Sequence, residues 1–133
     1  MSNIHEFNSF ELLLDFLKIE AETNLLTEIC GLISFKKNLF FYKRVNNLSE
    51  ESNMYFKINP KDYLDFLNQY GCFCIFHSHL LSDETFSKKD IDNSNSCCKS
   101  FLVYSVFSEK FNLYEPKYRD YDVNITKQLI NKL

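Results

Sequence analysis

Helical segments alternate with short apolar runs along these 133 residues, and that alternation predicts a single α/β (α+β) domain built around one sheet. Two further observations agree. The length suits one domain and allows roughly two-thirds of the unfolded surface to be buried. Hydrophobic residues make up 45% and charged residues 25%, the balance of a globular chain rather than a disordered one. With fourteen Phe, eight Tyr and no Trp, the core is expected to be filled largely by aromatic rings.

Each element has its own signal. Phe10 to Ala21 sets Phe10, Leu13, Leu14, Leu17 and Glu20 or Ala21 at helical spacing, with Ser9 in the N-cap position. Ile29 to Phe35 is a short buried strand. Leu39 to Val45 is a second, joined to it by the polar turn Lys36-Lys37-Asn38. Asn46 to Asn53 is a polar loop, and Met54 to Ile58 alternates as a strand does. Pro60 opens a helix to about Tyr70 with Tyr63, Leu64 and Leu67 on one face, and Gly71 closes it. Cys72 to Phe76 is continuously apolar, as a strand covered on both sides must be. A polar stretch from His77 to Phe86 precedes a helix from Ser87 to about Cys98. Phe101 to Phe107 is another central strand, with Lys110 to Tyr114 pairing beside it. Asp122 to Leu133 carries Ile125, Leu129 and Leu133 at spacing for a terminal helix.

Composition removes several function classes. The net charge is −3 and the basic residues are interleaved with acids, as in Lys88-Lys89-Asp90, so no nucleic-acid partner is expected. No apolar run approaches the ~20 residues that cross a bilayer, and no membrane partner is expected either. The first six residues lack a basic segment followed by an apolar one, so no signal peptide is read. Five cysteines, an odd number with no C-x-x-C pair, point to buried reduced thiols and a cytoplasmic location. Gly-rich phosphate loops have little room, because the chain holds only two Gly.

Chemistry concentrates between His77 and Asp90. His77 and His79 stand two apart at the end of an apolar strand, and residues at that spacing face the same way. Both imidazoles can therefore converge on one ion. Asp90 follows His79 by eleven residues, in the first turn of the next helix, where the helix dipole favours a carboxylate. Two His and one carboxylate meet the three-ligand count of a catalytic zinc site, which keeps one position open. Blander explanations exist for each part. A lone His at a strand end is usually structural, and Ser87-x-x-Asp90 is also the pattern of a capping box. Asp83, Glu84 and Asp92 are rivals for the carboxylate role, and spacing does not choose among them.

The segment His77-Ser78-His79, seven residues, Ser87, two residues, Asp90 resembles the H-x-H-x7-S-x2-D signature of the JAMM metallopeptidases, also called JAB or MPN-plus. Glu28-Ile29-Cys30-Gly31-Leu32 is similar to the upstream E-x-C-G-L form of bacterial and phage members. The resemblance spans about residues 10–116, leaving 117–133 as a C-terminal tail. It implies a JAB/MPN-like domain, with a central, mostly antiparallel mixed sheet flanked by helices. It implies Zn2+ held by His77, His79 and Asp90. Glu28 would be the general base toward the attacking water and then the acid toward the leaving amine, and Ser87 would hydrogen-bond the water or the developing oxyanion. Leu80 departs from the Pro usual after the second His, which leaves the ligands intact and loosens the following loop.

The implied activity is hydrolysis of a peptide or isopeptide bond in a protein substrate with a flexible tail. About ten residues separate Asp90 from the Phe101 strand, too few for the substrate-gripping insertion of eukaryotic-type deubiquitinases. A minimal prokaryotic or phage form is therefore implied, acting on a ubiquitin-like or sulfur-carrier protein, or in phage tail-tip assembly within the host cytoplasm or on the virion. The other class of function is a non-catalytic zinc-binding assembly module. Leu80, Leu81 and Phe86 are expected to wall an apolar channel beside His77.

Overall fold

The computed structural model describes residues 3–130 and 132–133. Six strands form one sheet: β1 (Ile4–Phe7), β2 (Cys30–Lys36), β3 (Leu39–Val45), β4 (Cys74–His79), β5 (Ser100–Ser105) and β6 (Lys110–Tyr114). They lie in the order β1-β3-β2-β4-β5-β6, and only β4 and β5 run parallel. Four helices flank it: α1 (Phe10–Glu22), α2 (Pro60–Tyr70), α3 (Lys88–Cys97) and α4 (Val123–Ile130). The expected α+β sheet, mixed and mostly antiparallel, is what forms.

Local chemistry explains the boundaries. Ser9 caps α1 by accepting the Leu12 N–H at 3.2 Å. Pro60 stands in the first turn of α2 behind Asn59, and Gly71 ends that helix at φ 74°. Lys37 and Asn38 both adopt positive φ, 53° and 63°, the two-residue turn whose twist matches a β2–β3 hairpin.

Alternation along the strands divides the core in two. Ile33, Tyr42, Phe76, Leu102 and Tyr104 face Phe10, Leu13, Leu17 and Ala21 of α1 and Leu129 of α4. Cys30, Leu32, Val45, Ile75 and Phe101 face Phe66 of α2. Gly31 lies under the Tyr42 ring, which occupies the space a Cβ would need. That close approach is why glycine stands in the middle of β2.

Several expectations change. Ile4–Phe7 pairs with β3 as an edge strand that the short run IHEF did not announce. Met54–Ile58 is not a strand; Met54 ends a turn and the next residues are irregular. Its alternating pattern is overridden by the Asn47 side chain, which donates to the Tyr55 carbonyl and accepts the Lys57 N–H. Leu64 is 51% exposed, and the inward face of α2 is instead Phe66 with Tyr63 and Leu67 beside it. The first central strand begins at Cys74 rather than Cys72 and runs through both histidines. The Phe101 strand ends at Ser105, because residues 106–109 turn back toward β6. The packed core extends past 10–116, since Leu129 of α4 is buried; the terminal helix expected to Leu133 ends at Ile130, and Asn131 lies outside the described residues. The start of the chain assessed for a signal peptide includes Met1 and Ser2, which also lie outside them. All five cysteines are free, yet only Cys30, Cys72 and Cys74 are buried; Cys97 and Cys98 are half-buried. Burial pushes the Cys30 and Cys72 thiols up to about 12, so both are protonated at neutral pH. Among the described residues no helix is long and apolar enough to cross a membrane.

Candidate metal centre

β4 carries His77 and His79 on the face opposite α1, the face that also holds Ile75 and, across β2, Cys30. The capped N-terminus of α3 comes down over that face and brings Asp90. The result is a closed triangle. His77 Nε2 lies 3.1 Å from His79 Nε2, and Asp90 Oδ2 lies 3.3 Å from each. All three residues are buried, at 0, 5 and 7% exposure. An ion bound tetrahedrally at about 2.0–2.1 Å from such donors sets them ~3.3 Å apart, so the observed spacing fits one metal ion. Among the described residues no other group of three or more His, Cys, Asp or Glu converges in this way.

The orientation of each donor is fixed. His79 Nδ1 donates to the Asp83 carbonyl at 2.7 Å, which leaves Nε2 free to coordinate. The His77 ring stacks on Phe56 at 4.5 Å and meets the edge of Phe101 at 5.8 Å. Its Nδ1 is buried without a hydrogen-bond partner, so on that side ring packing holds the angle. Ser87 and Asp90 form a capping box: Ser87 Oγ accepts from the Asp90 N–H at 3.1 Å, and Asp90 Oδ2 accepts from the Ser87 N–H at 3.2 Å. Capping and metal binding are thus compatible through one carboxylate oxygen, which has lone pairs for both.

The electrostatics follow from burial and charge. Burial would raise the Asp90 carboxyl, but bonds from His77 and His79 outweigh it and hold the group well below the usual carboxylate range. Burial lowers His77, while for His79 the bonds to Asp90 and Asp83 overcome burial and raise it. Glu28 is only 4% exposed, and burial pushes its carboxyl up to about 8. The charge on His79 opposes that rise and the charge on Asp90 adds to it. Glu28 precedes Cys30 by two residues and so shares the face of His77, which pairs with Cys30. Ser78, pointing the other way, locks this register: its Oγ accepts the Ile29 N–H at 2.9 Å and its own N–H donates to the Ile29 carbonyl at 3.0 Å.

The rival carboxylates are engaged elsewhere. Asp83 accepts from Thr85, Glu84 from Ser108, and Asp92 pairs with Lys88. These bonds also tie down the loop after His79 despite Leu80: Ser105 Oγ donates to the Ser82 carbonyl and Asn112 Nδ2 to that of Glu84. The expected channel wall is displaced. Leu81 is 76% exposed and Phe86 packs on Tyr114. The apolar wall beside His77 is Phe56, part of a cavity of about 810 Å³ with Ile75, Phe101, Tyr63, Ile58 and Leu48. Lys89 closes one side, its ammonium 4.4 Å from the Tyr55 ring centre. Ile75 lies two residues before His77, so the cavity sits one pleat along β4 from the triad, ~6.6 Å away. Phe56 and Asn47 were missed from sequence, since an aromatic and an amide in a polar loop carry no local signal of chemistry.

The fold and triad together define a small α+β domain with a buried His-His-Asp site able to bind a metal ion. No protein-family model matches the chain, and no curated protein is similar to it in sequence. Its fold is similar to the solution structure of protein DSY2949 from Desulfitobacterium hafniense, with a TM-score of 0.56 and 18% identity, covering 84% of this chain and 91% of that one. At that identity the likeness concerns the fold alone.

Proposed function

We propose that the protein is a zinc-dependent peptidase or isopeptidase of the JAMM type. The reading is carried by one observation: His77, His79 and Asp90 present three donor atoms at 3.1–3.3 Å, on the sheet face that also carries the buried Glu28. Zinc bound there would polarise a scissile carbonyl and make a water more acidic. The chain supplies the rest. Burial raises the Glu28 carboxyl to about 8 when no ion is present, and a zinc ion beside it would lower that value again, which suits a group that serves as base and then as acid. Ser87 uses its oxygen to accept from Asp90, so its O–H is left to donate to a substrate oxygen at the N-terminus of α3. An extended, flexible segment of a ubiquitin-like, sulfur-carrier or phage tail protein would thread past the triad, with the cavity beside Phe56 receiving one of its apolar side chains.

Mass-spectrometric profiling of a peptide library with zinc-loaded protein tests this reading. Wild type is expected to cleave extended peptides, and Glu28→Gln to retain zinc while losing about 10²–10⁴ in kcat. If zinc-loaded wild type leaves every peptide intact, a non-catalytic zinc-binding assembly module is the better reading. If Glu28→Gln cleaves at the wild-type rate, Glu28 is not the proton shuttle.

A further inference from the structure

We propose that Asn47 is the positioning residue for Glu28, an inference that rests on the reading of Glu28 as proton shuttle. Among the described residues the Glu28 carboxyl makes no hydrogen bond, so its placement depends on how its backbone is held. The next residue, Ile29, is bound to Ser78 of β4. Glu28 is not. Its N–H donates to the Ser52 carbonyl at 2.6 Å, and its carbonyl accepts from Asn47 Nδ2 at 2.9 Å. Both of these backbone bonds therefore go to the segment 47–57 rather than to the sheet.

Asn47 is what gives that segment its shape. Besides Glu28, its Nδ2 donates to the carbonyls of Tyr55 at 2.9 Å and Ser52 at 3.3 Å. Its Oδ1 accepts the N–H groups of Ser49 and Lys57, each at 3.0 Å. An amide offers two N–H donors and one oxygen with two lone pairs, so both ends are filled, with one N–H shared to reach the Ser52 carbonyl at 3.3 Å. One side chain thus closes an irregular loop, fixes the Ser52 carbonyl that receives the Glu28 N–H, and holds the Glu28 carbonyl directly. Aspartate at 47 would keep the two acceptor bonds and turn an oxygen toward three carbonyls. The grip on Glu28 and the bonds to Tyr55 and Ser52 are thereby removed, while the bonds from Ser49 and Lys57 that join the two ends of the loop remain.

The experiment compares Asn47→Asp with wild type and with Asn53→Asp, which adds the same charge at an exposed site in the same loop. Three quantities are read on zinc-loaded protein: zinc content, amide hydrogen exchange, and kcat and KM on a library peptide that wild type cleaves. Asn47→Asp should keep one zinc per chain and leave the protection of β2 and β4 unchanged. Exchange at the Glu28 amide should rise at least tenfold. kcat should fall by about 10²-fold, the loss expected for a 1 Å misplacement of a reacting group, with a much smaller change in KM. Asn53→Asp should match wild type in all three. Unchanged exchange at Glu28, or a loss confined to KM, would overturn the proposal. Should Asn47→Asp not fold, wild-type exchange decides: the amides of Glu28, Ser49 and Lys57 must open at one common rate, and independent rates overturn the clamp. Should wild type cleave no peptide, the peptidase reading fails, and exchange still reports separately whether Asn47 holds the Glu28 backbone.

Discussion

On the α1 side of β4, Cys74 and Phe76 pack among Tyr42, Leu102 and Tyr104, and almost every group there is apolar. On the other side the same strand presents Ile75, then His77 and His79, with Glu28 and Asp90 buried nearby. The first face gains stability from area removed from water and needs no partner. The second removes ionisable groups from water, a cost that is met only if a cation or hydrogen bonds take the place of solvent. One face therefore needs only burial, and the other needs an ion or hydrogen bonds in place of water. Changes made to each should separate metal binding from stability.

The largest expected effect is on the polar face. His77→Ala or His79→Ala removes one of three ligands, and zinc measured by atomic absorption should drop from one per chain to a small fraction of that. Stoichiometric zinc in the double variant would break the assignment. On the apolar face, Phe76→Ala should cost ~3–5 kcal/mol in denaturant unfolding, because Phe76 is fully buried, while zinc content stays at one per chain. Loss of both together would mean the two faces are not independent.

The smallest expected effect sharpens the comparison by pH. In chelator-treated protein Glu28 is raised to about 8, against ~4.3 in an unfolded chain. Between those values the folded state holds a proton that the unfolded state has released, so stability falls as pH rises from 5 to 8. The cost of burying the charged carboxylate is absent below about pH 4 and complete above pH 8. Asp90 has the opposite sign, since its carboxyl is held low, and it removes stability only under acid. His77, held low by burial, adds stability as pH rises through its range, and His79, held high by its bonds to Asp90 and Asp83, loses it. Metal-free wild type is therefore expected to lose on the order of ten degrees in Tm between pH 5 and pH 8 by circular dichroism. Glu28→Gln should be flatter. An equally steep slope in that variant would assign the titration to another group. The metal-free protein should remain folded throughout, since the α1 face does not depend on an ion.

The legible parts of the fold were those with local causes. The Ser9 cap, Pro60 before Gly71, the Lys37-Asn38 turn and the apolar run of β4 each follow from neighbours a few residues apart. Ile4–Phe7 was missed because an edge strand needs only its pairing with β3, which no local pattern announces. Met54–Ile58 misled because its alternation was genuine, while Asn47 had already taken the backbone groups that a ladder would need.

The same division runs through the site. By itself the sequence determined that His77 and His79 share a face, through the two-residue period of a strand, and that Asp90 opens a helix, through Ser87 and the capping box. Glu28 was legible from sequence only as part of a family pattern. Its presence on the face of His77 was decided by the sheet, because β2 lies beside β4 with Cys30 opposite His77. Tertiary structure alone put Phe56 on the His77 ring, made the cavity along β4, and hung the Glu28 backbone on Asn47. The Asn47–Glu28 and Phe56–His77 contacts join residues 19 and 21 positions apart. Propensity and periodicity describe only near neighbours, so which distant segments meet is settled by the packing of the whole sheet.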